Sequence, residues 1–440
     1  MTQVDRRTFL RRGAAVTGGL AVAGPLQAFA ARSALGETVS DAAPFGPLIN
    51  MGDLWLPRGF RYKIISRQGD VMSDGNPTPG IFDGMAAYRV PKFTDGIVLI
   101  RNHENRERPD EIPVVVPPDM SYDPVTIAGN TKVVVNKNLD VVESYAVLGG
   151  TSTNCAGGQM PWGSWVTCEE VFKDADQPHG YCFEIPAGAT GPVDAVPIKQ
   201  AGRFAHEACV WFDGALYETE DVSVNAALYR YVPDQNVRAA GQLVESTGVL
   251  QALAVVDAPN YDTRTGQTVG AVLGVEWVDL DEPDPVTNTL RLEAQSKGAA
   301  SFDRQEGMWV GGGKVYFDCT SAGDAGLGQI WELDPTASTM TLIYESPSED
   351  ELRNPDNIVV APFGHLFLQE DTAYPQFVRG LTPDGAIYDF CRAETTDSEF
   401  AGGCFDPSGR IFFLNQQGGR PSPDGVTYAI TGPWRAARAN

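Results

Sequence analysis

The hydrophobic positions of this chain fall in short runs, which glycine, proline and aspartate interrupt at frequent intervals from residue 48 onward. Apolar and polar residues alternate within many of these runs, which is the period of a β-strand. No long stretch follows the 3.6-residue period of a helix. The pattern therefore predicts an all-β protein.

Six segments share one plan: a polar start, a strand, a turn that contains glycine, and a second strand that ends in polar or acidic residues. They span residues 82–104, 154–170, 203–221, 304–324, 354–371 and 403–418. Such repetition is typical of a β-propeller, so we predict a six-bladed β-propeller with irregular loop insertions. An irregular β-sandwich is the alternative. We interpret residues 105–130, 186–200 and 234–300 as loops or excursions at blade edges.

The first 30 residues have the pattern of an export signal. Arg6 and Arg7 precede a mildly apolar segment that contains glycines and ends in Ala-Phe-Ala at residue 30. This pattern is typical of a twin-arginine signal peptide. We therefore expect residues 1–30 to be removed, after passage through the twin-arginine translocase, and residues 31–440 to form a single β-propeller catalytic domain. No later run approaches the ~20 apolar residues of a membrane span, so we expect a periplasmic or extracellular protein, or one anchored only by an uncleaved signal. We also expect a monomer.

Composition narrows the classes of ligand. A formal net charge of −24 repels nucleic acid and anionic lipid, so we expect neither as a partner. An anionic small molecule would need local cations, which bound metal ions could supply. Seven cysteines are an odd number, so at least one is a free thiol or a metal ligand. The four histidines show no His-x-x-x-His zinc pattern, and oxygen ligands are far more abundant.

Acidic and polar residues recur at corresponding positions of the segments. Four second strands end in Asn102-His103-Glu104, Glu169-Glu170, Glu220-Asp221 and Glu370-Asp371. The starts carry Asn154-Cys155, His206-Glu207, Arg304 with Glu306, and Asn354 with Asp356-Asn357. Equivalent strand ends of a propeller gather around its channel, so these residues can meet although they lie far apart in sequence. Neighbours in a strand face opposite sides, so one member of each pair can face the channel while the other packs outward.

Converging carboxylates repel one another in a low dielectric unless they bind protons or cations. Carboxylate and amide oxygens suit calcium, whereas the thiolate of Cys155 suits a transition metal such as iron. We therefore predict a mixed metal site. Two alternatives stay open: the acidic pairs could be solvated strand ends, and Cys155 could form a disulfide with Cys168 across the hairpin. The remaining cysteines are interpreted mainly as small buried hydrophobes.

Three motifs resemble a known family. The string TNCAGGQMPWGSWVTCEE (153–170), with GRFAHEACV (202–210), FDRQEG (302–307) and the twin-arginine leader, resembles the PhoX-type alkaline phosphatases. The similarity extends from about residue 82 to residue 371. The resemblance implies a six-bladed propeller that binds iron and calcium at one end of its channel and hydrolyses phosphomonoesters.

The resemblance also implies roles for individual residues. Cys155 would ligate iron, and the other metal ligands carried over by motif are Glu170, Glu207 and Glu306. Arg304 would hold the substrate phosphate and act in catalysis with Glu306, and Asn154 is a further candidate for substrate binding. Positions in the propeller add Glu104, Glu169, Asp221, Asp356 and Glu370 as calcium ligands. No serine or threonine stands out as a covalent nucleophile.

Two other functions remain compatible with these patterns. A calcium-dependent propeller lactonase or esterase would contain no iron and would give Cys155 no role. A non-enzymatic exported metal-binding propeller would depend on metal for thermal stability and would hydrolyse no ester.

Overall fold

The computed structural model describes residues 43–93, 96–373, 375–394, 398–418 and 425–435. The predicted signal peptide, residues 1–30, lies outside the described residues. Within these ranges the chain is built almost entirely from antiparallel strands. Three strands come first: β1 (Leu48–Asn50), β2 (Leu54–Pro57) and β3 (Arg61–Arg67).

Six antiparallel units follow. The first contains β4 (Phe82–Tyr88), β5 (Ile97–His103), β6 (Ala128–Val135) and β7 (Val141–Thr151). The second contains β8 (Asn154–Met160), β9 (Ser164–Glu169) and β12 (Cys182–Pro186), with a ribbon of β10 (Lys173–Asp174) and β11 (Pro178–His179) between them. The third contains β13 (His206–Phe212), β14 (Ala215–Glu220), β15 (Tyr229–Pro233), β16 (Gly248–Val255) and β17 (Val272–Asp279).

The fourth unit contains β18 (Gln305–Gly311), β19 (Lys314–Cys319), β20 (Gln329–Asp334) and β21 (Thr339–Glu345). The fifth contains β22 (Pro355–Val360), β23 (Leu366–Glu370), β24 (Phe377–Leu381) and β25 (Ile387–Ala393). The sixth contains β26 (Phe400–Phe405), β27 (Ile411–Gln416) and β28 (Val426–Thr431). The helices are short: a 3₁₀ turn at Lys199–Ala201, α1 (Gln242–Glu245) and α2 (Leu290–Ser296).

The units form a closed ring. Their first strands contact one another in the cyclic order β4, β8, β13, β18, β22, β26 and back to β4. The N-terminal strand β3 pairs with β28, from Arg61 opposite Thr431 to Arg67 opposite Val426, and so completes the sixth unit. This arrangement confirms the predicted β-propeller and excludes the β-sandwich.

The outer edges depart from the prediction. Strand β2 pairs with β25 and adds β1 and β2 to the fifth unit. Strand β17 pairs with β16 on one side and β21 on the other, so it joins the third and fourth units into one sheet. Of the two interpretations of residues 234–300, loops or excursions at blade edges, the structure favours an excursion at the outer edge, because this stretch holds two strands and both α-helices. In the described ranges, no helix has the length and apolar character needed to span a bilayer.

Each interface between neighbouring units has its own hydrophobic cluster. Val134 and Phe183 pack between the first and second units, and Leu99 and Phe413 pack between the first and the sixth. Burying such a side chain stabilises the folded state by roughly 1.5–3 kcal/mol. Hydrophobic burial at these interfaces is therefore the main interaction that stabilises the closed ring.

Near the axis the first strands approach so closely that only glycine fits. A Cβ on Gly84 would lie 2.7 Å from the Cα of Ala156 in the next unit. Gly402 has φ +59°, and a Cβ there would lie 2.2 Å from the carbonyl oxygen of Asp83. A side chain at either position would force the strands apart. The ring is therefore narrow at its centre, and side chains at the strand starts are brought into contact.

Candidate metal centre

Every unit has a β-bulge at the start of its first strand, opposite the end of its second strand. The pairing register shifts between Phe82 and Met85 in the first unit and between His206 and Cys209 in the third. The other four units shift at the same place. The residues in the six bulges are Asp83, Cys155, Glu207, Glu306, Asp356 and Gly402. Because bulges redirect side chains, five acidic or thiol groups are turned toward one end of the channel.

A second set of equivalent residues follows the second strands. In each unit the N–H of this residue donates to the carbonyl oxygen of the residue before the first strand, as from Glu104 to Ile81 and from Glu170 to Thr153, both at 2.9 Å. The set consists of Glu104, Glu170, Asp221, Thr320, Asp371 and Gln417. The accepting residue has a left-handed φ in four units, at Ile81, Thr153, Arg304 and Asn354. Such strain costs about 1–3 kcal/mol per residue and is typical of functional sites.

Three overlapping groups bring these side chains together. Asp83, Glu104 and Cys155 form one group. Cys155, Glu170 and Glu207 form a second, and Glu207, Glu306 and Asp356 form a third. In each group the candidate ligand atoms lie within 4.8 Å of one another. Since Cys155 and Glu207 are shared, the seven residues make one continuous set, which we call the channel cluster.

Several buried carboxylate oxygens of the channel cluster have no hydrogen-bond partner within the described structure. Among the described residues, both carboxylate oxygens of Glu207 lack a hydrogen-bond partner, as does one oxygen each of Asp83 and Asp356. Burial, and then Glu170 and Asp356, raise the pKa of Glu207 well above its ordinary value. Burial and the nearby Asp83 raise the pKa of the Cys155 thiol in the same way. Burial raises the pKa of Asp356 to about 6. Cations would compensate these groups, and hard oxygens beside one soft sulfur fit the predicted pairing of calcium with a transition metal.

Two arginines border the channel cluster. The Nε of Arg304 lies 3.1 Å from Asp221, and its Nη2 contacts Glu306. The Nη2 of Arg106 contacts Glu104 and lies 3.0 Å from Glu170. The side chain of Arg304 is 29% exposed and that of Arg106 is 46% exposed, whereas Glu104 and Glu306 are 5% exposed. The guanidinium groups therefore lie between the buried carboxylates and solvent, where an anion could reach them.

Most of the predicted site residues meet here. The channel cluster contains Glu104, Cys155, Glu170, Glu207, Glu306 and Asp356. Asp221 joins its edge through Arg304, and it also raises the pKa of Glu170 after burial and Glu104. The thiols of Cys155 and Cys168 have different neighbours: Cys155 lies 3.7 Å from Asp83, and Cys168 lies 3.5 Å from Cys182. The geometry therefore does not support a disulfide between Cys155 and Cys168.

Three predicted residues are not brought into the channel cluster. Glu169 accepts hydrogen bonds from the backbone N–H groups of Ser152 and Gly180 at 2.9 and 2.8 Å, and its Oε1 lies 2.7 Å from His179. Glu370 pairs with the Nε of Arg379 at 2.9 Å. Neighbouring residues of a strand face opposite sides. Glu169 and Glu370 each come one residue before a member of the second set, so their side chains point away from the channel.

Asn154 precedes the bulge residue Cys155 and is likewise turned away from the channel. Its side chain accepts a hydrogen bond from Thr151 at 2.5 Å and donates one to Thr167 at 2.9 Å. These contacts give Asn154 a structural role in the hairpin.

Several residues of the centre were missed by sequence reasoning. Asp83 occupies the position in its own bulge that Cys155 and Glu207 occupy in theirs. An alignment of FDG with NCA and HEA would therefore have found it. Arg106 lies two residues after Glu104 and contacts it. Gln417 donates to Asp83 at 3.2 Å and to Glu104 at 2.8 Å. Burial, then Asp371, and then Asp356 and Asp83 of the channel cluster raise the pKa of Glu399 well above its ordinary value, so Glu399 lies near this cluster.

The fold and the site define a β-propeller with a candidate metal centre of carboxylates and one thiol at one end of its channel. Comparison with known families goes further. The sequence model of the family described as alkaline phosphatase PhoX matches residues 41–143 and 120–419, and the chain belongs to this family. No curated protein matches the sequence.

The chain also resembles solved structures at low sequence identity. Pseudomonas fluorescens PhoX in complex with vanadate, a transition state analogue, is 16% identical with a TM-score of 0.66, over 88% of this chain and 97% of that one. The gluconolactonase XC5397 from Xanthomonas campestris is 12% identical with a TM-score of 0.43, over 89% of this chain and 99% of that one. Virginiamycin B lyase from Staphylococcus aureus is 13% identical with a TM-score of 0.38, over 84% of this chain and 99% of that one.

Proposed function

We propose that this protein is a metal-dependent phosphomonoesterase of the alkaline phosphatase type, with the channel cluster as its metal centre. The observation that carries the proposal is that the channel cluster holds buried carboxylates without hydrogen-bond partners in the described structure, while two partly exposed guanidinium groups contact other carboxylates of the same cluster. Such a site can hold cations and an oxyanion side by side. Membership of the PhoX family and the likeness to a PhoX structure that holds vanadate support the same class of reaction.

We assign the metals by donor chemistry. Cys155 lies with Glu170 and Glu207, and a thiolate beside carboxylates suits iron. Glu306 and Asp356 offer only oxygen, which suits calcium, and Glu207 can bridge the two sectors. Asp83 and Glu104 are the other two candidate ligands beside Cys155. When bound, the ions would neutralise the negative charge that develops on the phosphoryl oxygens.

The chain's own residues orient the phosphate. The contacts of Arg304 determine which part of its guanidinium can meet a phosphate: Asp221 accepts from Nε at 3.1 Å and from Nη2 at 3.4 Å, so the two N–H groups of Nη1 remain to donate to phosphate oxygens. Glu306 holds the same guanidinium and is therefore a positioning residue as well as a candidate ligand. Arg106 would bind a further oxygen from the opposite side of the channel cluster. Phosphoryl transfer needs chiefly such positioning and charge neutralisation.

Elemental analysis combined with turnover of p-nitrophenyl phosphate tests this function. We expect iron and calcium in natively produced protein, activity that is lost on chelation and restored by the metals, and loss of iron in Cys155→Ser. Glu245→Gln, an exposed change on α1, is the control. Calcium without iron, together with hydrolysis of a lactone or of p-nitrophenyl acetate in place of the phosphate ester, would establish the esterase instead. Metal-dependent stability with no ester hydrolysis would establish a binding protein.

We also propose that the chain is exported through the twin-arginine pathway. The supporting pattern is Arg6-Arg7 ahead of an apolar segment. Replacing both arginines by lysine is expected to retain the protein in the cytoplasm, and unchanged fractionation would contradict the proposal. We expect the exported protein to sediment as a monomer.

A further inference from the structure

A second group of potential metal ligands lies at the interface between the second and third units. It consists of Cys168 on β9, Cys182 on β12, His206 and Cys209 on β13, and Glu218 on β14. All five side chains belong to residues that are 0% exposed. We call this group the thiol cluster. It shares no residue with the channel cluster. The neighbours His206 and Glu207 belong to different clusters, His206 to the thiol cluster and Glu207 to the channel cluster.

Within the thiol cluster, Cys182, His206 and Glu218 are spaced like the ligands of a coordination shell, since one candidate ligand atom from each lies within 4.8 Å of the others. The sulfur of Cys182 lies 3.5 Å from that of Cys168, 3.4 Å from Nδ1 of His206 and 3.6 Å from Oε1 of Glu218. Nδ1 of His206 lies 3.5 Å from the same oxygen of Glu218. Ligands bound tetrahedrally at about 2.0–2.3 Å from zinc are about 3.3–3.8 Å apart, so these separations match.

The orientation of His206 supports the same interpretation. Its Nε2 lies 3.1 Å from the carbonyl oxygen of Gly202, and this contact assigns the proton to Nε2. The lone pair of Nδ1 then points at Cys182 and Glu218. The ring also stacks on Phe204, with ring centroids 3.6 Å apart. Metal-binding histidines are typically held in this way, by a hydrogen bond from the second nitrogen to a carbonyl oxygen.

Glu218 provides an independent observation. Its Oε2 is buried and has no hydrogen-bond partner among the described residues. A carboxylate buried without compensation is costly, and Cys182, which lies against its other oxygen, cannot supply a positive charge. A cation within the thiol cluster would satisfy this group.

We propose that the thiol cluster binds a structural, sulfur-preferring divalent metal ion such as zinc, with Cys182, His206 and Glu218 as ligands. Cys168, whose sulfur lies 3.5 Å from that of Cys182, lies beside these three ligands and could move into a fourth position. The ion links β12 of the second unit to β13 and β14 of the third. The sheet of the second unit has three strands, whereas the sheets of the other units have at least four. A metal ion would therefore stabilise the interface made by the smallest unit.

Cobalt substitution tests this site apart from the channel cluster. In a Cys155→Ser background the channel cluster has no thiol, so any thiolate-to-cobalt charge-transfer band in the near ultraviolet must come from elsewhere. We expect the band in this background after cobalt loading, and its loss when Cys182→Ser or His206→Gln is added. Adding Cys391→Ser, a buried cysteine in the fifth unit, should leave the band unchanged.

Absorption spectroscopy at the zinc edge of the unmutated protein avoids variants that fail to fold. It should show sulfur and nitrogen or oxygen in the first shell. Absence of the cobalt band in the Cys155→Ser protein, or a Cys168–Cys182 disulfide in unreduced protein by mass spectrometry, would overturn the proposal.

Discussion

Replacing Arg304 by alanine removes the guanidinium that we place on the substrate phosphate. Arg304 is held between Asp221, at 3.1 Å, and Glu306, so its direction is fixed before any anion binds. The substitution leaves the carboxylates of the channel cluster in place. It therefore separates phosphate binding from metal binding.

The magnitude follows from the contacts that are lost. Two charge-assisted hydrogen bonds are worth about 1.5–3 kcal/mol each, so their loss would lower kcat/KM by roughly 10²–10⁴-fold. Lysine keeps the charge but replaces the planar guanidinium by a flexible ammonium group, so Arg304→Lys should lie between alanine and the wild type. Loss of Arg304 also leaves Glu306, which is 5% exposed, without its cation, so stability should fall, but by less than the roughly 3–5 kcal/mol typical of a fully buried pair because the guanidinium is 29% exposed.

The assay is kcat/KM for p-nitrophenyl phosphate, measured with elemental analysis and thermal unfolding of the same samples. Arg238→Ala, an exposed arginine outside the site, is the matched control and should behave as wild type. If Arg304→Ala retained its metals and kept kcat/KM within about threefold of the control, the role of Arg304 would be refuted.

The remaining predictions address the metal centre, the second arginine and pH. Glu207→Gln removes one buried charge and keeps the shape, so it should lower bound metal without lowering the unfolding midpoint of metal-stripped protein; metal content equal to that of Glu245→Gln would contradict this. Arg106→Ala should raise KM about tenfold with kcat nearly unchanged, because a half-exposed guanidinium binds ground and transition states alike; a fall confined to kcat would contradict it. Lys132 is buried against the carbonyl oxygens of residues 187 and 189, and burial lowers its pKa from 10.5 to about 8. Between pH 8 and 10.5 the unfolded chain binds the proton and the folded chain releases it, so the stability of wild type relative to Lys132→Met should rise by up to about 3 kcal/mol, and a flat difference in denaturant titrations would contradict this.

The repeated units could be predicted because the sequence signals for each strand pair lie close together along the chain. Alternation of apolar and polar residues and glycine at turns specify a strand pair within about 20 residues, and such pairs recur. The outer strands are less regular. Strand β17 is largely exposed or half-buried, and it pairs with β21 some 60 residues later, so no local signal separates it from a loop.

The candidate site shows where sequence reasoning stops. Alternation indicates that one member of each acidic pair faces the channel, but the choice between Glu169 and Glu170 depends on where the bulge shifts the register. The same dependence places Asp371, not Glu370, beside the channel cluster. The thiol cluster is harder still, because its residues come from four strands of two units and the cysteines match the pattern of small buried hydrophobes.

Closure of the ring and completion of the channel cluster are one structural event. The seam between the first and sixth units runs through the cluster, since Asn415 donates to the carbonyl of Asp83 at 2.7 Å and Gln417 donates to the carboxylates of Asp83 and Glu104. Strand β3 completes the sixth unit and packs Ile65 into the hydrophobic cluster of the same seam. Asp83, Glu104 and Cys155, which would hold part of the proposed metal centre, therefore lie at the seam that strand β3 helps to close. Cations bound there would stabilise the closed ring by linkage, and they would offset the repulsion that the converging carboxylates introduce at the axis.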